Sequence, residues 1–185
     1  MIYIRKYKET DKENLRKICF ETSSLPVDTE AQRKFLYLMY NDYYSEAEPE
    51  NIFVAANDED EAVGYILCAE DFDRYFRTFK GLYLPEIKEL GFSYLVAALG
   101  EIAVHGFYSK KHKAHLHIDI LSDCQGKGTG TALMNELKDH LKEKGINSVM
   151  LSCGANNTKA VKFYKKNGFK ILKEFFGSCI MACEF

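Results

Sequence analysis

Between Ala114 and Leu133 the chain reads AHLHIDILSDCQGKGTGTAL: strand-forming residues, then a glycine-dense loop, then the first turn of a helix. Few folds accept that succession. A strand that runs through clustered glycines into a helix gathers several backbone N–H groups at the positive end of that helix. Such a place favours a phosphate. The phosphate ligand therefore decides what the chain does.

Around this stretch the pattern predicts one mixed α/β domain of 185 residues. Ile2, Ile4 and Arg5 to Tyr7 open as a short strand. Thr10, with Glu13 three residues later, reads as a capping box for a helix over Asp11 to Thr22. Leu25-Pro26 is a break. Asp28 or Thr29 caps a second helix running through Phe35, Leu36, Leu38, Met39 and Tyr43. Asn51 to Ala56 and Ala62 to Ala69 form an antiparallel hairpin about Asn57 to Asp60. The glycine loop leads to a helix from Gly130 to Lys144, which stops at Gly145. Ser148 to Cys153 is the next strand. A helix capped by Asn156 or Asn157 follows and ends at Gly168. Phe169 to Phe175 and Ser178 to Cys183 pair across a Phe176-Gly177 turn. Residues 70–113 form an extended inserted segment with Leu84-Pro85 as a breaker and a helix over Ile87 to Leu99, ending near Gly100. Its length exceeds an ordinary connection, so it carries function or moves.

Composition narrows the classes. Hydrophobic residues are 46% and charged residues 28%, with a net charge of -2 spread along the chain, so no basic stripe points to nucleic acid. Lys110-Lys111-His112-Lys113 is too short for one. No apolar run reaches the ~18 residues that span a bilayer, and the first twenty residues lack a signal-peptide core. A cytoplasmic protein without membrane or nucleic-acid partners is the expectation. None of the six cysteines stands in CxxC spacing, which predicts free thiols. The His115-x-His117 pair lacks further ligands, so no metal is expected.

Two phosphate readings fail on spacing. A Walker A loop needs GxxxxGK[ST], which is absent. A dinucleotide fingerprint needs GxGxxG after the first strand of a doubly wound sheet. Here Thr131 stands where the third glycine belongs, and the loop comes too late in the chain.

The third reading rests on two motifs. Gln125-Gly126-Lys127-Gly128-Thr129-Gly130 resembles the Q/R-x-x-G-x-G/A loop of the GNAT acetyltransferase superfamily. Asn157 to Phe169, NTKAVKFYKKNGF, is similar to the second signature of that family, N-x-x-A-x-x-F-Y-x-x-x-G-F. They occur in the family's order, joined by one helix and one strand. The strand HLHIDIL with this loop also resembles the acetyltransferase-like domain of some O-GlcNAc hydrolases and its stand-alone bacterial relatives. Catalytic competence is doubted for some members of that group. The resemblance implies a GNAT fold: a mostly antiparallel central sheet of six to seven strands, one parallel βαβ step, and helices on both faces.

It also implies acetyl-CoA as co-substrate. The N–H groups of Gly126 to Thr131 would surround the pyrophosphate, with hydroxyls from Thr129 and Thr131. Lys127 either reaches the 3′-phosphate or is solvated. Gln125 stands where Arg is commoner. The backbones of Ile118, Ile120 and Leu121 would meet the pantetheine amides and the thioester, with Ile118 N–H at the oxyanion. Asn157 and Phe163 belong to the second signature. Tyr164 occupies the family's tyrosine position and is either the general acid or a packed core residue. Asp119 and His117 share the strand face opposite Leu116, Ile118 and Ile120. Asp119 is either the catalytic base or a structural carboxylate bonded to a neighbour such as His117 or Tyr164. The acceptor is a small amine or a peptide or protein amine. Tyr40, Tyr43, Asp71, Asp73, Arg74 and Tyr75 are candidates to line its cleft. The competing reading is a module that binds acyl-CoA without catalysis. Monomer and homodimer both remain open.

Overall fold

The computed structural model describes residues 1–175 and 177–185. The first half comprises β1 (Tyr3–Lys6), α1 (Lys12–Thr22), α2 (Glu30–Tyr40), α3 (Asp42–Ala47), β2 (Phe53–Ala56) and β3 (Ala62–Ala69). Then come α4 (Phe72–Thr78), a π-helical turn (Phe79–Tyr83), α5 (Leu84–Leu90) and α6 (Phe92–Tyr108). The second half comprises β4 (Ala114–Ile120), α7 (Thr129–Glu143), β5 (Ser148–Gly154), α8 (Thr158–Lys166), β6 (Lys170–Phe175) and β7 (Ser178–Glu184). The strands form one seven-stranded sheet in the order β1-β2-β3-β4-β5-β7-β6. All neighbours are antiparallel except β4 and β5.

Alternation along β3 divides the core. Tyr65, Leu67 and Ala69 join a cluster with α1 to α6, whereas Ile66 and Cys68 join one with α7 and α8. Helices therefore cover both faces, as the resemblance implied. The six cysteines are free. No helix among the described residues is long and apolar enough to cross a membrane.

Several local expectations change. The capping box at Thr10 does not form; Lys8 N–H donates to Asp11 Oδ2 at 2.8 Å instead, closing a 3-10 turn before α1. Thr29 does cap α2, and Gln32 completes its box. The helix predicted through Tyr43 breaks at Asn41 (φ -138) and restarts as α3. Segment 70–113 is helical nearly throughout. Pro85 does not break it, because Pro85 falls in the first turn of α5, where the N–H that proline lacks is not needed for a helical bond. The break comes at Gly91, with φ 137, and α6 then runs past Gly100 to Tyr108. In the predicted last turn, Phe176 lies outside the described residues, and Gly177 has φ 82.

The helical segment is anchored by charge. Buried Glu48 accepts hydrogen bonds from Tyr43 Oη (2.5 Å), Asn51 Nδ2 (2.9 Å) and Glu70 N–H (3.0 Å), and pairs with Arg74 Nη2 at 2.5 Å. Asp71 caps α4 by accepting from Arg74 N–H at 3.0 Å. Tyr75 packs among Tyr43, Tyr44 and Phe79.

His105 and His115 are buried beside this aromatic cluster, their rings 5.2 Å apart. Burial pushes the His105 imidazole down to about 4 and also holds His115 well below its ordinary value. The unfolded chain, with imidazoles near 6.5, takes up these protons first, so stability is full above that value and is lost as pH falls toward 4. Calorimetry is expected to show a loss of about 2 kcal/mol between pH 7 and 5.5, on the order of 5 °C in Tm. A Tm that holds or rises over this interval would contradict the neutral buried pair.

Candidate active site

Strand β4 pairs with β3 along its whole length, from Ala69↔His115 to Gly64↔Ile120. Its parallel pairing with β5 consists only of Ala114↔Val149 and His115↔Met150. Beyond that point the two strands diverge. A cleft of about 660 Å³ opens between them, lined by Leu116 to Ile120 on one side and Ser152 to Gly154 on the other. Backbone groups of a strand alternate in direction. Leu121 N–H donates back to Val63 O at 3.0 Å, on the β3 side. By alternation Ile118 and Ile120 turn their backbones to the cleft. Leu121 itself does not serve as expected: its carbonyl also accepts from Cys124 N–H at 2.9 Å, so both of its backbone groups are engaged.

The glycine loop closes one end of the cleft. Gly126 (φ 77) and Gly128 (φ 87) take left-handed conformations that other residues adopt only with strain, and no atom lies within 4 Å of where their Cβ would stand. The backbone is thus bare toward solvent. The first helical bond of α7 is Ala132 N–H to Gly128 O, leaving the N–H groups of Thr129, Gly130 and Thr131 without intrahelical partners. Gly130 is required for packing: a Cβ there would meet the Phe163 ring at 2.9 Å and Ile120 at 3.2 Å. The strand end, the loop and α8 are therefore held in one arrangement.

Side chains of the loop depart from expectation. Thr129 Oγ1 donates to Cys124 O at 3.2 Å, so it braces the loop. Lys127 Nζ donates to Asp123 O at 3.0 Å. Gln125 spans the mouth: its Nε2 donates to Ile120 O (2.8 Å), and its Oε1 accepts from Lys159 Nζ (2.7 Å). Lys159, which no motif spacing marks, brings a cation where Gln125 lacks one. Asn157 caps α8 by accepting from Ala160 N–H at 3.0 Å and lines the cleft with Phe163 and Tyr164. Burial raises the Tyr164 hydroxyl well above its ordinary value, so it keeps its proton.

On the opposite face, Asp119 accepts from Tyr65 Oη at 2.7 Å. Its partner is thus neither His117 nor Tyr164. Burial raises the Asp119 carboxyl, while the Tyr65 and Thr22 hydroxyls pull it back down. His117 lies edge-on to Tyr40 and Tyr44, 5.3 Å from each, and burial drives it down to about 3. It is a neutral wall. Of the six acceptor candidates only Tyr40 reaches the cleft. Tyr43, Asp71, Arg74 and Tyr75 hold the helical segment, and Asp73 pairs with Lys113 at 3.6 Å on the surface. Glu101 of α6 was missed; it lines this half, and burial raises its carboxyl. It is the one acid of α6, and no motif spacing marks what it faces. Among the described residues no cluster fit to hold a metal is present.

A family model for the acetyltransferase (GNAT) family matches residues 13–169. The chain belongs to the GNAT acetyltransferase family. Among solved structures, this GNAT chain is similar to SsHAT, with TM-score 0.88 and 27% identity over 99% of this chain and 98% of the other. It also shares the fold of the PaiA N-acetyltransferase of Thermoplasma acidophilum, solved in complex with coenzyme A (TM-score 0.63, 18% identity, 100% and 99% covered). Mycothiol acetyltransferase of Renibacterium salmoninarum is 31% identical over 109 residues, 59% of this chain and 27% of that protein. An uncharacterised N-acetyltransferase of Methanocaldococcus jannaschii is 39% identical over 62 residues, 33% of this chain and 27% of that protein. The GNAT chain thus spans about a quarter of the length of these curated relatives.

The contact of Gly130 with Phe163 generates a test. Gly130→Val is expected to weaken coenzyme A binding at least tenfold by calorimetric titration, about 1.4 kcal/mol. An unchanged affinity in a folded variant would contradict the role of this close approach.

Proposed function

We propose that the protein transfers an acetyl group from acetyl-CoA directly to a primary amine, both bound in the cleft between β4 and β5. The observation that carries this reading is the arrangement of unlike surfaces across the gap. On one side are bare backbone donors at a helix N-terminus; on the other is the half-buried carboxylate of Asp119. The donor half fits coenzyme A by its chemistry. The N–H groups of Gly126 to Thr131 suit a pyrophosphate, and the backbone of Ile118 with the Ile120 N–H, the Ile120 carbonyl being held by Gln125, suits a chain of amides.

When bound, acetyl-CoA supplies the acyl group and a thiolate leaving group. The residues supply the rest. Ile118 N–H donates to negative charge that develops on the carbonyl oxygen. Asp119 takes a proton from the acceptor ammonium; burial strengthens it as a base, and Tyr65 orients it. The amine nitrogen bonds to the carbonyl carbon as the C–S bond breaks. Tyr164, protonated at neutral pH, gives its proton to the departing sulfur, and the second proton that the nitrogen sheds as the amide forms passes through solvent to restore the Tyr164 hydroxyl. Glu101 and Asp119 form no ion pair with Lys or Arg among the described residues, so the acceptor half favours a cationic substrate.

Two kinetic outcomes test these roles. Tyr164→Phe is expected to lower kcat about 10²-fold, with KM for acetyl-CoA little changed. Tyr65→Phe removes a bond that stabilises the Asp119 carboxylate, so the acidic limb of the kcat–pH profile moves to higher pH. In Asp119→Asn that limb disappears. Thiol release with an amine panel gives the readout. Coenzyme A binding without acetylation of any amine would instead support a non-catalytic binding module. No affinity for coenzyme A would overturn the reading.

A further inference from the structure

Helix α6 carries a second apolar face that the domain leaves uncovered. Its inner residues Ala98, Ile102 and His105 are buried. Its outer face presents Phe92, Val96, Leu99, Gly100, Ala103 and Phe107, with Phe92 80%, Val96 52%, Leu99 44% and Phe107 69% exposed. At 3.6 residues per turn these six positions fall within one stripe roughly 100° wide. A helix apolar on both faces is one that is covered on both. The acid and the imidazole of α6, Glu101 and His105, lie off this stripe: Glu101 lines the cleft and His105 is buried.

We propose that this stripe is the interface of a two-fold homodimer, with α6 packed antiparallel against α6 of a second copy. The stripe is complementary to itself in that direction. A two-fold axis between Leu99 and Gly100 sets Leu99 against the partner's Gly100, Val96 against the partner's Ala103, and Phe92 against the partner's Phe107. Each larger aliphatic side chain faces a small residue, and aromatic pairs close both ends.

Glycine usage supports close approach at the centre. Gly106 has a reason within the monomer, since a Cβ there would meet the Phe72 ring at 3.2 Å. Gly100 has none: nothing lies within 4 Å of its Cβ position. An exposed glycine in the middle of a helix destabilises it relative to alanine. A second helix crossing at that point accounts for it. The stripe also bears no charge, so it complements an equally uncharged surface. Its two phenylalanines alone expose on the order of 300 Å². A symmetric pair of whole stripes covers roughly 1,000 Å², the threshold of a specific interface.

Sedimentation velocity at micromolar concentration tests this. Wild type is expected at twice the 21.3 kDa chain mass. Val96→Glu is expected to weaken association at least tenfold, and so is Gly100→Leu, although its helix is no less stable by circular dichroism. Combining Val96→Glu with Ala103→Lys restores the dimer, because antiparallel packing sets each glutamate against a lysine. A monomeric wild type would overturn the proposal. So would dimers indifferent to Gly100→Leu, a double variant no better than Val96→Glu, or a monomer that binds neutral phosphatidylcholine vesicles through this stripe.

Discussion

Everything at the site depends on where β4 parts from β5. A parallel pair in mid-sheet would ordinarily continue, because each unpaired backbone group away from water costs free energy. Here pairing stops after His115↔Met150, while both strands keep their outer neighbours. β4 holds β3 as far as Gly64↔Ile120, and β5 holds β7 as far as Gly154↔Ser178. The gap is thus rigid on both flanks and exposes one strand edge without loosening the sheet. A ligand that carries amides can offset the unmade bonds.

The two faces of the gap are built from different materials. Toward α7 and α8, backbone predominates: left-handed glycines, an open helix N-terminus, and Phe163 pressed onto Gly130. Toward α1, α2 and α6, side chains predominate: Asp119 on Tyr65, His117 against Tyr40, and Glu101. Burial pushes the Asp119 and Tyr164 protonation equilibria upward together. For a carboxylate this makes a better base; for a phenol it secures a proton that can be given away. In the proposed reaction one physical effect therefore supports opposite tasks on opposite faces.

Much of this was legible in the sequence where function requires particular backbone geometry. The glycine loop, Asn157 as a cap and Gly145 and Gly168 as stops are local facts, and spacing exposes them. The helix-breaking reading of Pro85 failed because proline at a helix start and proline at a helix end share a local sequence. The Asp119–Tyr65 contact joins residues 54 apart and follows only from strand register. Register likewise took the Leu121 amide to Val63. Glu101, one acid in an apolar helix, and Lys159, a variable position of its signature, are marked only by what they face.

In the proposed reaction the edge of β4 and the start of α7 hold the acetyl donor together. Amide proton and nitrogen shifts followed while acetyl-CoA is added test it most directly. Large, saturable shifts are expected at Ile118, Gly126, Gly128, Thr129, Gly130 and Thr131, and little change at Leu121, whose N–H already serves Val63. Shifts confined to other surfaces, or as large at Leu121 as at Ile118, would contradict it.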